Sequence, residues 1–247
     1  MGNPKYVERS FIGSGKFFAD GRRVGNVSAA NLSYSVDSKT QPNFQGGGGN
    51  LDTLDKITDV NLNLTVTNFS AENMAMALRA TLGDVAAGAV AAEAHVMNIN
   101  ALVDTDFMLD TTQTVTVQTT DETPVSIPAL DSSGNVNWEV TAAGIYFGEG
   151  SDVADATNIT ISYTKHASVT LKALLGSAQE FKLVMDGLNE NDNNPGVLRV
   201  WRWKPSPTDG FDLISDDYSS FAINGAVLAD LTKPAGVSQF YEYSVTK

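Results

Sequence analysis

The chain has 247 residues, 42% of them apolar, enough for the core of one large or two modest domains. It contains no cysteine, which excludes a small disulfide-stapled fold and thiolate metal sites. The net charge of −13 is unevenly placed: between Thr81 and Thr164 there is no Lys or Arg but twelve of the 29 acidic residues, while the rest of the chain is nearly neutral. Such a break predicts an inserted domain in a neutral host, with residues 1–83 and 166–247 as the host and 84–165 as the insertion.

The N-terminal stretch MGNPKYVERSFIG has no apolar signal core, and no run approaches the ~18 apolar residues of a membrane span, so the expectation is an intracellular, soluble product. Tyr6 stands where a myristoylation motif wants Ser or Thr. Gly13-Ser14-Gly15-Lys16 fails as a phosphate loop, because Ser10 replaces the leading Gly and Phe17 follows Lys16.

From Val27 to Ser38 the side chains alternate, Ala30, Leu32, Tyr34 and Val36 against Asn31, Ser33, Ser35 and Asp37. DVNLNLTVTN repeats the pattern, with Val60, Leu62, Leu64 and Val66 against Asp59, Asn61, Asn63, Thr65 and Thr67. A period of two predicts strands with one buried and one wet face, here joined in a long hairpin across the tip TQPNFQGGGGN. The polar row is unusual, since solvated strand faces ordinarily carry Lys, Glu and Arg. A helix follows in SAENMAMALRATLG, capped by Ser70, ended by Gly83, and striped by Ala71, Met74, Ala75, Leu78 and Leu82.

The acidic segment predicts five strands, at 95–103, 112–119, 125–129, 136–140 and 158–164. The host resumes with a second hairpin, 180–186 and 197–204, across the polar loop LNENDNNPG. Strands at 219–223, 226–228 and 240–245 follow, with Asn224-Gly225 as a turn or bulge.

Catalytic and metal patterns fail in turn. His95 and His166 are the only histidines, and neither has zinc-ligand spacing. Asp104 and Asp106 begin like a calcium loop, but Met108 takes the third ligand position; Asn189, Asn191 and Asn193 end at Val200 where a Glu belongs. Sequons at Asn26, Asn31, Asn63, Asn68 and Asn158 reflect alternating polar strands. Trp201 and Trp203, two apart on one strand face, suggest a packing surface or a sugar-stacking platform. No enzyme and no cofactor are expected.

GNVSAANLSYSVDS, the Gly-rich tip, ITDVNLNLTVTNFSAENMAMAL, EFKLVMDGLNENDNNPGVLRVWRW and DLISDDYSSFAINGAVLAD occur in an order that resembles the tail tube (major tail) proteins of long-tailed bacteriophages. The resemblance covers most of residues 11–83 and 170–232. It implies a mainly β subunit, a β-sandwich or barrel with one flanking short helix and an inserted small β-domain. It further implies hexameric rings, each subunit giving two hairpins to a barrel around a lumen, stacked into a virion tail tube that conducts DNA. Partners would be other copies, tail terminator and distal tail proteins, and a tape measure protein filling the lumen before DNA, with no membrane.

On this reading Asn31, Ser33, Ser35, Asp37, Asp59, Asn61, Asn63, Thr65 and Thr67 face the lumen, where a neutral hydrated surface avoids the phosphate contacts that would hold DNA. Gln45, Gly46, Gly47, Gly48, Gly49 and Asn50 form a ring-stacking loop. The basic N-terminal segment (Lys5, Arg9, Lys16, Arg22 and Arg23) joins it, with Asp209, Asp212, Asp216 and Asp217 as the acidic complement. The insertion is expected on the outside. The competing readings are a carbohydrate-binding sandwich using Trp201 and Trp203, and the tube of a contractile injection system.

Overall fold

The computed structural model describes residues 10–151, 153–210 and 212–246. The chain is mainly β, with one short helix. In order it forms β1 (Gly13–Ala19), β2 (Arg22–Gly25), β3 (Val27–Pro42), β4 (Asn50–Val66), α1 (Ala71–Leu78), β5 (Thr81–Val85) and β6 (Gly88–Val96). Then come β7 (Ala101–Asp104), β8 (Thr116–Thr119), β9 (Ser126–Ile127), β10 (Trp138–Thr141), β11 (Gly144–Phe147), β12 (Asn158–Lys165) and β13 (Ser168–Lys172). The last strands are β14 (Phe181–Asn189), β15 (Asn194–Pro205), β16 (Phe221–Val227) and β17 (Tyr241–Val245).

Two compact units result. One holds the described residues up to Leu82 and from Leu171 onward, the other Gly83–Thr170. The divisions fall inside β5 and β13, which pair with each other as a separate ribbon.

The first unit is built on one sheet in the order β2-β1-β14-β15-β16-β4-β3, with β17 added to β15. Val24 and Phe17 from one end share a core with Leu62, Leu64 and Val66 near the other, so the sheet is folded over into two layers. Its ends, β2 and β3, do not pair with each other, so the chain alone closes no barrel. Burial of Val60, Leu62, Leu64 and Val66, each at most 5% exposed, contributes ~1.5–3 kcal/mol apiece before chain entropy. A one-residue slip would reverse all four, which fixes the register.

At the centre lies Trp203, fully buried, its Nε1–H donating to the Leu62 carbonyl at 2.9 Å. A Cβ on Gly225 would stand 2.3 Å from that nitrogen, so only glycine lets β16 pass beneath the indole. Asn224-Gly225 is therefore neither turn nor bulge, and β16 runs straight through it.

Other expectations are also corrected. The second hairpin has a short tip, Glu190–Asn193, because Asn193 adopts positive φ and lets the ladder continue to Asn189↔Asn194. Helix α1 ends at Arg79, which takes the left-handed C-cap conformation, and Gly83 belongs to β5. Its buried residues are Asn73, Met76 and Ala77, and Leu82 is exposed. Asn73 can be buried because its amide is fully used: Oδ1 accepts from Arg22 at 2.9 Å, while Nδ2 donates to the Val24 and Asn68 carbonyls. The periodicity alone could not show a polar residue filling that site.

The second unit packs the sheet β10-β11-β7 against β6-β12-β8-β9 around Met97, Val117, Ile145, Phe147, Ile159 and Ile161. The strand expected over 95–103 is broken at Asn100, which has positive φ, into β6 and β7. The stretch 112–119 is extended only from Thr116 because Asp110 caps a turn through Thr112, and β11 was not anticipated. Trp138 is this core's indole, donating to the Ile127 carbonyl at 3.0 Å.

Candidate functional site

β3 and β4 pair so that the two polar rows meet: Asn31↔Asn63, Ser33↔Asn61 and Ser35↔Asp59. β16 extends the face by Asn224↔Asn63, Ala222↔Thr65 and Ala226↔Asn61, and β15 adds Lys204 opposite Ala226. A row of three asparagines, Asn31, Asn63 and Asn224, thus crosses three strands. The face is open to water: Asn31, Ser35 and Asp59 are exposed, and Ser33, Asn61, Asn63 and Thr65 half-buried. Thr67 lies past the end of β4, tied to Asn26 by a 2.8 Å hydrogen bond. The β16 contribution was missed because it begins more than 150 residues from β4, and no local pattern announces that pairing.

The row does not continue unchanged toward the tip. Ser35 pairs with Asp59 but Val36 with Ile57, leaving Thr58 as an extra residue whose Oγ1–H donates to the Ser35 carbonyl. The bulge inverts the parity of β4. Asp37 consequently sits opposite Lys56, and Lys39 opposite Leu54, so the neutral surface ends at Ser35 and Asp59.

The tip is organised by Asn43, whose backbone N–H donates to the Gly49 carbonyl at 3.0 Å and whose Nδ2 donates to the Gly46 carbonyl at 2.8 Å. Gly46–Gly49 all have positive φ, and Gln45–Asn50 are exposed beside Phe44 at 86%. Asn50 itself opens β4.

Only one of the two expected hairpins presents a free edge. β14 is flanked by β1, and β15 by β17 over Gly196–Val200 and by β16 over Trp203–Pro205, so the second hairpin is internal to the sheet. β3, with sixteen residues, is an end strand of the sheet and has β4 on one side only. Its register shift and its Lys39 and Asp37 moderate such an edge without covering it.

Trp201 and Trp203 do not share a face. A register shift between Phe181 and Leu183 turns Trp203 into the core and leaves Trp201 half-buried, its Nε1–H donating to the Ser238 carbonyl and one ring face covered by Lys233 at 3.7 Å. Beside them Arg202 grips Glu180 with two hydrogen bonds of 2.8 and 3.1 Å, which hold that carboxyl below the usual carboxylate range.

In the second unit Glu93 accepts from the Tyr163 hydroxyl at 2.6 Å and the Asp106 backbone N–H at 2.9 Å, and it meets His95 at 2.7 Å. Burial pushes the Glu93 carboxyl up, but these bonds outweigh it and hold the group below its ordinary value. Burial first, then the bond to Glu93, pushes the Tyr163 hydroxyl up to about 12.

Among the described residues no three His, Asp or Glu side chains gather as a metal site, and no helix is long and apolar enough to cross a membrane. Of the basic N-terminal segment, Lys5 and Arg9 lie outside the described residues. Lys16 and Arg23 are exposed, and Arg22 is half-buried against α1. No curated protein matches the sequence. One family model, described as Protein of unknown function UCP028589, matches residues 10–244, nearly the whole chain, and the chain belongs to that family.

Proposed function

We propose that this chain is the subunit of a tail tube: copies form hexameric rings, the rings stack, and the hollow assembly conducts DNA from a virion to a host cell. The observation that carries the reading is the neutral amide and hydroxyl face across β3, β4 and β16, next to a sixteen-residue free strand edge. An edge of that length is an aggregation hazard in a monomer and an interface in a ring, where a neighbouring strand satisfies its backbone groups.

The face suits a conduit because every phosphate neutralised by Lys or Arg adds a counterion-release contribution to affinity, and ring symmetry multiplies it. Asn31, Ser33, Ser35, Asn61, Asn63 and Thr65 offer water-like hydrogen bonding and no positive charge. Lys204 lies at the far margin of the face and Lys56 beyond the bulge. The Gln45–Asn50 tip takes part in ring-to-ring stacking, which is heterologous and propagates as a filament. The partners are then other copies, the tape measure protein, and the terminator and distal proteins at the two ends.

Negative-stain electron microscopy of the purified protein over a concentration series tests this reading. Rings or hollow tubes are the expected result. A monodisperse monomer at every concentration, unchanged by addition of tail-initiating proteins, would refute it. A surrounding sheath on native particles would assign the tube to a contractile system.

A further inference from the structure

Two features of the first unit are left incomplete by a single chain. The first is a cavity of about 730 Å³ beside α1, between Arg22, Ala75, Met76 and Arg79 on one side and Leu175 and Phe181 on the other. Arg79 reaches the Pro205 carbonyl with one terminal nitrogen at 3.2 Å, but its Nε–H is buried without a hydrogen-bond partner. A guanidinium with an unpaired donor is costly, and since the Nε–H is shut off from outside, an incoming anion would meet the charge through the terminal nitrogens. Its walls mix apolar Leu82, Leu175 and Phe181 with polar Thr81, Ser177 and Gln179, and Leu175 is 68% and Leu82 43% exposed. Glu72, the one acid of the lining, is engaged at the start of α1, its carboxyl held low by its own backbone N–H and by Ser70.

The second is the segment Asp212–Tyr218, DLISDDY. Leu213, Ile214 and Tyr218 are 85%, 95% and 99% exposed, as large apolar side chains seldom are, and Asp212, Asp216 and Asp217 stand beside them. Within it the Asp217 N–H donates to Ser215 Oγ at 3.2 Å and the Tyr218 N–H to Asp217 Oδ1 at 2.7 Å. Carboxylates beside apolar side chains are the chemical complement of a cavity with two guanidinium groups and exposed leucines.

We propose that Asp212–Tyr218 of one copy docks into the Arg22–Arg79 cavity of a second copy, an Asp carboxylate pairing with the Arg79 guanidinium while Ile214 or Leu213 covers Leu175. Donor and acceptor are different surfaces of the same unit, so the contact is heterologous and can close a ring or extend a filament. It rests on the self-assembly part of the reading above, and it assigns the acidic segment a specific receptor.

The absence of native cysteine makes the test direct. Chains carrying Ile214→Cys and, separately tagged, Leu175→Cys are mixed and oxidised under assembling conditions, alongside electron microscopy. A mixed disulfide between the two tags is expected. Asp212→Asn, Asp216→Asn and Asp217→Asn together, on exposed residues that cannot unfold the chain, should lower its yield at least about tenfold. Rings or tubes without the mixed disulfide overturn this contact and leave the tube reading standing. A disulfide formed only within single chains carrying both substitutions places the segment in its own cavity and also overturns it. Mixed disulfide without rings supports the contact and counts against the tube. Neither assemblies nor mixed disulfide, with tail-initiating proteins added, refutes both.

Discussion

Each unit hides one tryptophan and satisfies it in the same way, by an indole N–H donated to a backbone carbonyl, but the two bonds span different lengths of chain. Trp203 reaches Leu62, 141 positions away, whereas Trp138 reaches Ile127, 11 positions away. The strand pairs repeat the contrast. β1 pairs with β14 and β4 with β16, so the first unit is closed only by residues on both sides of the insertion. Every strand pair inside the second unit lies within 83–170. Non-local pairing charges loop closure before contacts compensate it, so the second unit should fold early and independently, and the first late.

Substitution at the crossing of β15 and β16 breaks this comparison most strongly. Gly225→Leu would place a Cβ 2.3–2.4 Å from the Trp203 ring nitrogen and its neighbouring ring carbon, in a core with no room to move. Overpacking of this kind costs about 3 kcal/mol or more, and the expected outcome is loss of the first unit's unfolding transition with the second unit's unchanged. Differential scanning calorimetry of the full chain checks it; equal shifts in both transitions would show that the units do not unfold separately. Trp138→Phe is the converse, leaving the Ile127 carbonyl without its donor at a cost of about 2 kcal/mol. Its transition should fall while the first unit's stays in place.

The same contrast explains what the sequence made legible. Alternation in 27–38 and 59–68 predicts β3, β4 and their pairing, because a hairpin is local and its apolar row has one way to be buried. The Ala- and Gly-rich run at 81–96 has too few large apolar residues for alternation to show, and β5 and β6 escape notice. Trp201 and Trp203 look like same-face neighbours because a bulge leaves no mark in the residues that form it. Asn224-Gly225 imitates a turn, although its glycine answers to an indole on the neighbouring strand and 22 residues away in sequence. Of the candidate site, the rows on β3 and β4 are readable and Asn224 is not, since only the folded sheet brings β16 beside them.

Acid and alkali should separate the units more gently. Glu93 has a folded-state carboxyl below its ordinary value, so its contribution to the second unit is present above the unfolded value of 4.5 and is lost as pH falls through the folded one. Tyr163 acts in the opposite sense: raised to about 12 from 10.0, it contributes below pH 10 and loses that contribution as pH rises through 12. Glu93→Gln keeps the shape but gives up a carboxylate that accepts from Tyr163 and Asp106, costing about 1–2 kcal/mol. It should flatten the acid limb of the second unit's stability profile. An unchanged profile would mean that other carboxylates, such as Asp110 and Asp131, set that limb.

The smallest effect on stability carries the most functional information. Asn63 lies half-buried between Asn31 and Asn224, with no charged side chain opposite it on either neighbouring strand. Asn63→Lys can keep its stem on the sheet and its ammonium in water, so the fold should change by no more than about 0.5 kcal/mol. In the proposed tube the same substitution would set one added cation per subunit around the lumen, and stacking would repeat it along the assembly. Assembly is therefore expected to proceed while DNA passage slows, and slows more at low ionic strength, since counterion release weakens as salt rises. Release kinetics from particles carrying the variant, followed at two salt concentrations, check this. A salt-independent rate equal to that of the unsubstituted protein would place the asparagine row away from the DNA.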